Sequence, residues 1–332
     1  MRRIAAGLIV IMSVLLVSCK GKTGNTITVG SDKLDNTQSY FSESMHTVAR
    51  CDTGYYYLDK CSASDHNLMF YDDKSEESIV LCNKPQCGHD GEECMAYISG
   101  SEFKSELYYY NSYIYMISSK GNLVQISADG TQRTDLGSIC VLSGQDSVSM
   151  CFNDGYAYVS QEITGDIEGN VTVRLYRFNL DTGSSDKIYE ETGYGIGINS
   201  LKTYGSDTFF LKTSVSKDDK GLYSLEGKGI FRITGEDTEC LLDKNVYSYC
   251  IDADNNKLYY SGLGDGMIYE YDLGSGKSES IYESDNDTGY FYITFDGNYI
   301  WMDDEGYKNM AMYFNKQSSS LDYTLYQLDR DG

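Results

Sequence analysis

Proline is almost missing from this chain: Pro85 is the only one among 332 residues. That excludes a Pro-rich, wall-spanning linker, since such spacers draw their stiffness from repeated prolines. Histidine is nearly as scarce, with His46, His66 and His89 alone, and there is no Gly-x-Ser-x-Gly elbow, no His-Glu-x-x-His and no Walker loop. Gly193-Tyr-Gly195-Ile-Gly197 is Gly-rich but lacks the strand–turn–helix setting that cradles phosphate. Positive charge is the third shortage: 27 Lys and Arg face 50 Asp and Glu. Phosphate binding needs clustered cations, so no nucleic-acid partner is expected. The acidity reads first as solubility and second as attraction for cations or basic partners. Long helical periodicity is absent beyond the N-terminus.

The one long apolar run is Ile4 to Val17, behind Arg2 and Arg3. It is too short for a comfortable transmembrane helix and fits a signal-peptide core. It closes on Leu16-Val17-Ser18-Cys19, which resembles a bacterial lipobox. In that family the chain is cut before the cysteine, which then carries lipid. The resemblance implies a lipoprotein signal peptide over 1–18, lipidation of Cys19, and an extracytoplasmic protein anchored to the cell membrane. An ordinary secretory peptide or an uncleaved anchor is the alternative. Without the signal, 25 basic residues face 50 acidic ones, a net of −25. An anionic bilayer repels such a domain, so the lipid is what would hold it there. Residues 19–44 are read as the lipidated Cys and a polar, flexible tether, which leaves 45–332 for the folded part.

What the chain has in abundance is tyrosine and glycine, 32 and 33 residues, a composition that favours strands and tight turns. The unit KLYYSGLGDGMIYEYDLGSGKSESIYE, from Lys257, reads as strand, Gly-rich turn, strand, hairpin turn, strand. Its later part recurs from Asn67, Asn122, Arg174, Lys228 and Thr324. Aromatic strands stand upstream of each copy, at GYYYLDK, SYIYMIS, GYAYVSQ, DTFFLKT, KLYYSG and NYIWMDD. A weaker apolar stretch precedes them, as in VYSYCIDA or FYITFDG. Four strands per unit, at a step of about 51 residues, predict an all-β fold: a β-propeller of about six four-stranded blades. A sandwich or barrel is the architectural alternative. The last copy stops in a hairpin turn at Asp331-Gly332, so either Asn25–Ser31 supplies a closing strand or the propeller is truncated.

The stretch LYYSG…GMIYEYDLGSG resembles bacterial relatives of the YWTD propellers of lipoprotein-receptor ectodomains. Ile300-Trp301-Met302-Asp303 keeps two residues of that motif and Tyr259-Tyr260-Ser261-Gly262 keeps one. The resemblance spans about residues 45–332. It implies six blades around a channel with binding on one face, in a surface lipoprotein of unassigned activity.

Ten cysteines, less Cys19, leave an odd nine. Cys82, Cys87, His89 and Cys94 cluster in LCNKPQCGHDGEEC, which supplies the four ligands of a structural zinc with no open position for water. The rival reading is one disulfide plus a spare thiol. The other six fall into sequence pairs, Cys51 and Cys61, Cys140 and Cys151, Cys240 and Cys250, read as disulfides or as buried apolar residues. Cys51, Cys151 and Cys250 stand at one repeated place on inner strands, where burial is the expected role rather than a ring of reactive thiols. Acidic turns at Asp252–Asn256 and Ser284–Asp287 lack the Gly and distal Glu of a calcium loop. Tyr108-Tyr109-Tyr110 is expected to pack between blades rather than stack on sugars.

The functional expectation is a lipid-anchored propeller that binds protein or glycan, with no catalytic residue assigned and no certain cofactor. The alternatives are a propeller-type glycan-active enzyme using paired carboxylates, or a docking or sensing subunit of a membrane complex.

Overall fold

A computed structural model describes residues 48–102, 107–143, 146–165, 169–204, 207–235, 237–284, 291–295, 299–304 and 325–328. The signal peptide, Cys19, the tether and the candidate closing strand 25–31 lie outside the described residues. So do the chain end and most of the acidic turn at Ser284–Asp287.

Among the described residues there is no helix, and the strands form six antiparallel sheets that follow one another along the chain. The first contains β1 (Val48–Cys51), β2 (Gly54–Lys60), β3 (His66–Asp72) and β4 (Glu77–Val80), with β5 (Tyr97–Ile98) added to β3. The second runs β6 (Tyr108–Tyr110), β7 (Tyr113–Ile117), β8 (Asn122–Ser127) and β9 (Arg133–Ser138). The third runs β10 (Ser147–Asn153), β11 (Tyr156–Thr164), β12 (Asn170–Asn179) and β13 (Ser185–Tyr194). The fourth runs β14 (Gly197–Tyr204), β15 (Asp207–Lys217), β16 (Tyr223–Thr234) and β17 (Asp237–Leu242). The fifth runs β18 (Val246–Asp252), β19 (Lys257–Gly262), β20 (Met267–Asp272) and β21 (Lys277–Glu283). The last comprises β22 (Phe291–Phe295), β23 (Ile300–Asp304) and β24 (Leu325–Leu328).

Each sheet is a meander in chain order, and five hydrophobic clusters lie one between each successive pair. This is the blade-on-blade packing of a β-propeller. It explains the burial gradient within each sheet. The second strands are covered on both faces, so β7, β15 and β19 are buried along most of their length. The fourth strands meet solvent, and β4 and β21 are mostly exposed.

First strands of neighbouring sheets run the same way. Tyr108 and Tyr110 of β6 accept hydrogen bonds from the Met150 and Gly155 amides, both at 3.1 Å, in the same order along β10 and the turn that follows it. Thr203, late in β14, donates to the Phe152 carbonyl late in β10 at 3.0 Å. The tyrosine surplus thus has two jobs. Rings fill the spaces between sheets, as where Tyr110 stacks on Phe152 at 5.4 Å. Hydroxyls then tie one sheet to the next: Tyr56 donates to Ala128, Tyr249 to Ser200 and Tyr271 to Leu241. Each such bond is worth about 1 kcal/mol net.

The repeat is also written in turns and bulges. Asp72, Asn179 and Asp272 end the third strands of their sheets, and each accepts hydrogen bonds from amides two or three residues on. The pairing of third with fourth strand slips at Leu123/Val124, Leu175/Tyr176, Ile230/Phe231 and Ile268/Tyr269, one bulge in each of sheets two to five. A bulge there bends the outer strand and adds twist.

Candidate metal centre

The first sheet departs from the repeat between β4 and β5. Cys82, Cys87, His89 and Cys94 all lie in that excursion, and their ligand atoms fall within 4.8 Å of one another. A tetrahedral zinc with Zn–S bonds of about 2.3 Å has ligand–ligand edges of about 3.8 Å. The donors therefore stand about an ångström from closing on an ion. Cys94 is buried and the other three are half-buried. His89 Nδ1 lies 3.3 Å from Cys94 Sγ.

Two backbone features aim these side chains. Gln86 and His89 sit in the left-handed region, at φ 64° and 55° respectively. That conformation costs a non-glycine residue about 1–2 kcal/mol, so the loop's tertiary setting must hold it. The Cys87 amide donates to the Lys84 carbonyl at 3.3 Å, and the Cys94 amide to Gly91 at 2.9 Å, so each ligand closes its own tight turn. The Lys84 ammonium reaches across to the Glu93 carbonyl.

Backbone amides converge on the sulfurs. Those of Lys84 and Met95 donate to Cys82, and that of Ala96 to Cys94. Burial opposes the Cys82 thiolate, yet the Lys84 amide, the Cys94 and Cys87 thiols and the Met95 amide hold its pKa below the ordinary thiol value. Burial pushes Cys94 up to about 11, and the neighbouring thiols add to the rise.

The remaining cysteines are placed apart. No disulfide joins any of the nine described cysteines. Cys140 and Cys151 sit in clusters on opposite faces of the third sheet. Cys250 faces the sixth sheet, while Cys240 pairs with Phe231 in the fourth. Cys51 and Cys61 lie at opposite ends of β2. About ten residues carry the chain along β2 from Cys51 to Cys61, and from one sheet to the next in the other two pairs, so the paired thiols stand apart and no disulfide joins them. Cys151 and Cys250 occupy one repeated position, opposite Tyr158 and Tyr259, whereas Cys51 stands two residues further along its first strand, opposite Gly54; all three are buried. Burial pushes Cys140 up to about 11 and Cys250 up to about 12, which makes them inert as nucleophiles.

Other polar groups fold back on the scaffold. Buried Asp252 accepts from the side chain of Asn255 at 2.8 Å, inside its own turn. Tyr108 and Tyr110 are buried against Phe152, in the packing role expected of them. Glu162 accepts a hydrogen bond from the Ile198 amide at 2.8 Å, bridging sheets three and four, and burial raises its pKa against that bond. A carboxyl whose folded pKa lies above its unfolded one is stabilising in its protonated state, and that contribution is lost as pH rises through the folded value. Glu162→Gln is therefore expected to melt higher than the parent at pH 7 to 8, with the gap closing as pH falls toward about 4.3, the ordinary Glu value. Melting curves of both chains across that range check it; a gap independent of pH would contradict the assignment.

Sequence reading missed the exposed apolar side chains. Nine large hydrophobic residues are exposed among the described residues. Six of them, Val48, Val141, Tyr194, Leu222, Tyr223 and Leu225, lie at the end where the first strands begin. Four are gathered by the β15–β16 hairpin: Leu222, Tyr223 and Leu225 are 66, 62 and 50% exposed, and Tyr223 hydrogen-bonds Tyr194 from the third sheet. The signal was present in the lengths of β15 and β16, 11 and 12 residues, which project this hairpin beyond its neighbours.

No known protein family matches the chain, and no curated protein matches it. Solved structures that resemble it include the computationally designed Ika8 protein, with a TM-score of 0.45 and 12% identity over 77% of this chain. The chain spans 66% of that protein's length. The calcium-binding protein regucalcin from Agrobacterium tumefaciens has a TM-score of 0.46 and 12% identity, over 89% of this chain and 92% of its own. A nidogen/laminin complex has a TM-score of 0.39 and 10% identity, over 76% of this chain and 82% of its own. Likeness at this level says nothing about ligand or activity.

Proposed function

We propose that this chain is a lipid-anchored, extracytoplasmic β-propeller of six YWTD-like blades that binds a protein partner through the end bearing the β15–β16 hairpin. The observation that carries this reading is the gathering of exposed apolar side chains at that end. Monomeric proteins rarely expose contiguous apolar patches without a use for them. Leu222, Leu225 and Val141 offer aliphatic surface, which suits a protein interface better than a sugar face. The net charge of −25 beyond the signal favours a partner with a basic rim. Anchoring at Cys19 is supported by the order of Arg2-Arg3, the apolar run and Leu16-Val17-Ser18-Cys19. The six-bladed reading is supported by the six sheets among the described residues.

The test is capture from the host's own surface extract, with the full chain set beside Leu222→Glu/Leu225→Glu. Both positions are exposed, so the change is expected to leave stability within about 0.5 kcal/mol. A protein retained by the parent, weakened by salt and lost with the double variant supports the reading. Retention of a cell-wall glycan in place of protein, or equal retention by both chains, overturns it. Turnover of the retained glycan would then favour the enzyme alternative.

A further inference from the structure

We propose that Cys82, Cys87, His89 and Cys94 bind one zinc ion, and that the ion staples an excursion in the outer strand of the first sheet. The inference is independent of the partner proposed above.

Strand β4 pairs with Met69–Asp72 of β3, and β5 pairs with His66 and Asn67. Both run antiparallel to β3 along the same edge. Leu68, between the two stretches, serves both: the Leu81 amide donates to its carbonyl at 2.9 Å, and its own amide donates to the Ala96 carbonyl at 2.8 Å. Residues 81 and 96 therefore stand at one level, and β4 and β5 are halves of a single outer strand. Everything between them is looped out. Cys82 lies just inside the start of the loop and Cys94 just before its return, while Cys87 and His89 come from its far part. An ion bound by all four would join the base of the loop to its tip and hold the two half-strands in line.

The donor set selects the metal class. Three thiols and an imidazole are soft to borderline donors, whereas calcium and magnesium take oxygen. Iron–sulfur clusters are usually held by four cysteines, and here the fourth donor is a histidine. Three thiolates and a neutral imidazole leave one net negative charge around a divalent ion. The amides of Lys84, Met95 and Ala96 already point at the sulfurs, as outer donors do around ligating thiolates. A disulfide explains less of the geometry. It would join two thiols and leave no reason for the third thiol and the imidazole to converge, nor for Gln86 and His89 to hold left-handed backbone. Four protein ligands fill a tetrahedral shell, so the role is structural rather than catalytic. A cleft of about 380 Å³ opens beside Cys87 and Cys94, which gives a chelator access.

The test uses the full chain, kept reduced, equilibrated with zinc, freed of excess metal and assayed for metal content. One zinc per chain is expected, falling to none in Cys87→Ser and in His89→Ala and staying at one in Cys61→Ser, whose exposed thiol lies outside the cluster. Cobalt exchanged into the unaltered chain is expected to show a thiolate-to-metal charge-transfer band, a readout that needs no variant to fold. A strong chelator should lower the melting temperature of the parent. The proposal is overturned if the reduced chain retains no zinc, if the cobalt form lacks that band, or if Cys87→Ser retains zinc as the parent does.

Discussion

Phe152→Ala is expected to cost about 3–5 kcal/mol, the range for removing a buried aromatic side chain from a packed interior. Phe152 is fully buried where the second and third sheets meet. Its ring centroid lies 4.5 Å from that of Tyr115, 5.4 Å from Tyr110 and 6.0 Å from Tyr108. Three of its ring neighbours thus belong to the other sheet, and deleting the ring opens a void that neither sheet can fill alone. Aromatic pairs add about 0.5–1.5 kcal/mol each beyond area burial, which places this site toward the upper end. Phe152→Leu keeps much of the volume and is expected to cost less than half as much. Ile79→Ala, on the exposed β4 strand, should change stability by about 0.5 kcal/mol or less. Denaturant midpoints at constant slope separate the three. A Phe152→Ala cost no larger than that of Ile79→Ala would mean the two sheets are not packed as described.

The propeller was legible because its signal is repeated. Aromatic second strands, Asp or Asn at the ends of third strands and a constant step all recur, so no single segment had to be decisive. The Cys/His cluster was legible from residue type and spacing, since four donors in one short loop have few other reasons to assemble. What escaped the sequence depends on pairing across the fold. β5 is two residues long and has no pattern of its own; it exists because Leu68 offers a free edge to Ala96 as well as to Leu81. Of the two readings of the cysteine pairs, burial fits Cys51, Cys140, Cys151 and Cys250, and sequence separation could not choose it because it says nothing about which face of a sheet a residue takes. Cys140 and Cys151 are separated by the body of the third sheet itself. Tyr194 and Tyr223 meet only because two neighbouring sheets lengthen at the same end, a fact visible in strand lengths and invisible in motifs.

Gly229→Ala is the second substitution expected to be severe, and for a reason unrelated to cavity formation. Gly229 stands at φ 102°, beyond the left-handed pocket that Asn or Asp tolerates. A Cβ built there would lie 2.1 Å from the Leu242 carbonyl oxygen, a backbone atom held by the pairing of β16 with β17. Two penalties therefore add: about 1–3 kcal/mol for the strained backbone, and the displacement of β17 from its ladder. A loss of about 3 kcal/mol or more is expected. Gly235, at the next turn of the same sheet, separates the two causes. It has φ 64° and nothing within 4 Å of a Cβ, so Gly235→Asn bears only the conformational cost, at most about 1 kcal/mol. Gly229→Asn should be as damaging as Gly229→Ala, because the steric clash begins at Cβ whatever follows it. Melting temperatures of the three variants decide the matter. If Gly229→Ala and Gly229→Asn cost no more than Gly235→Asn, the clash with the Leu242 carbonyl would be discounted.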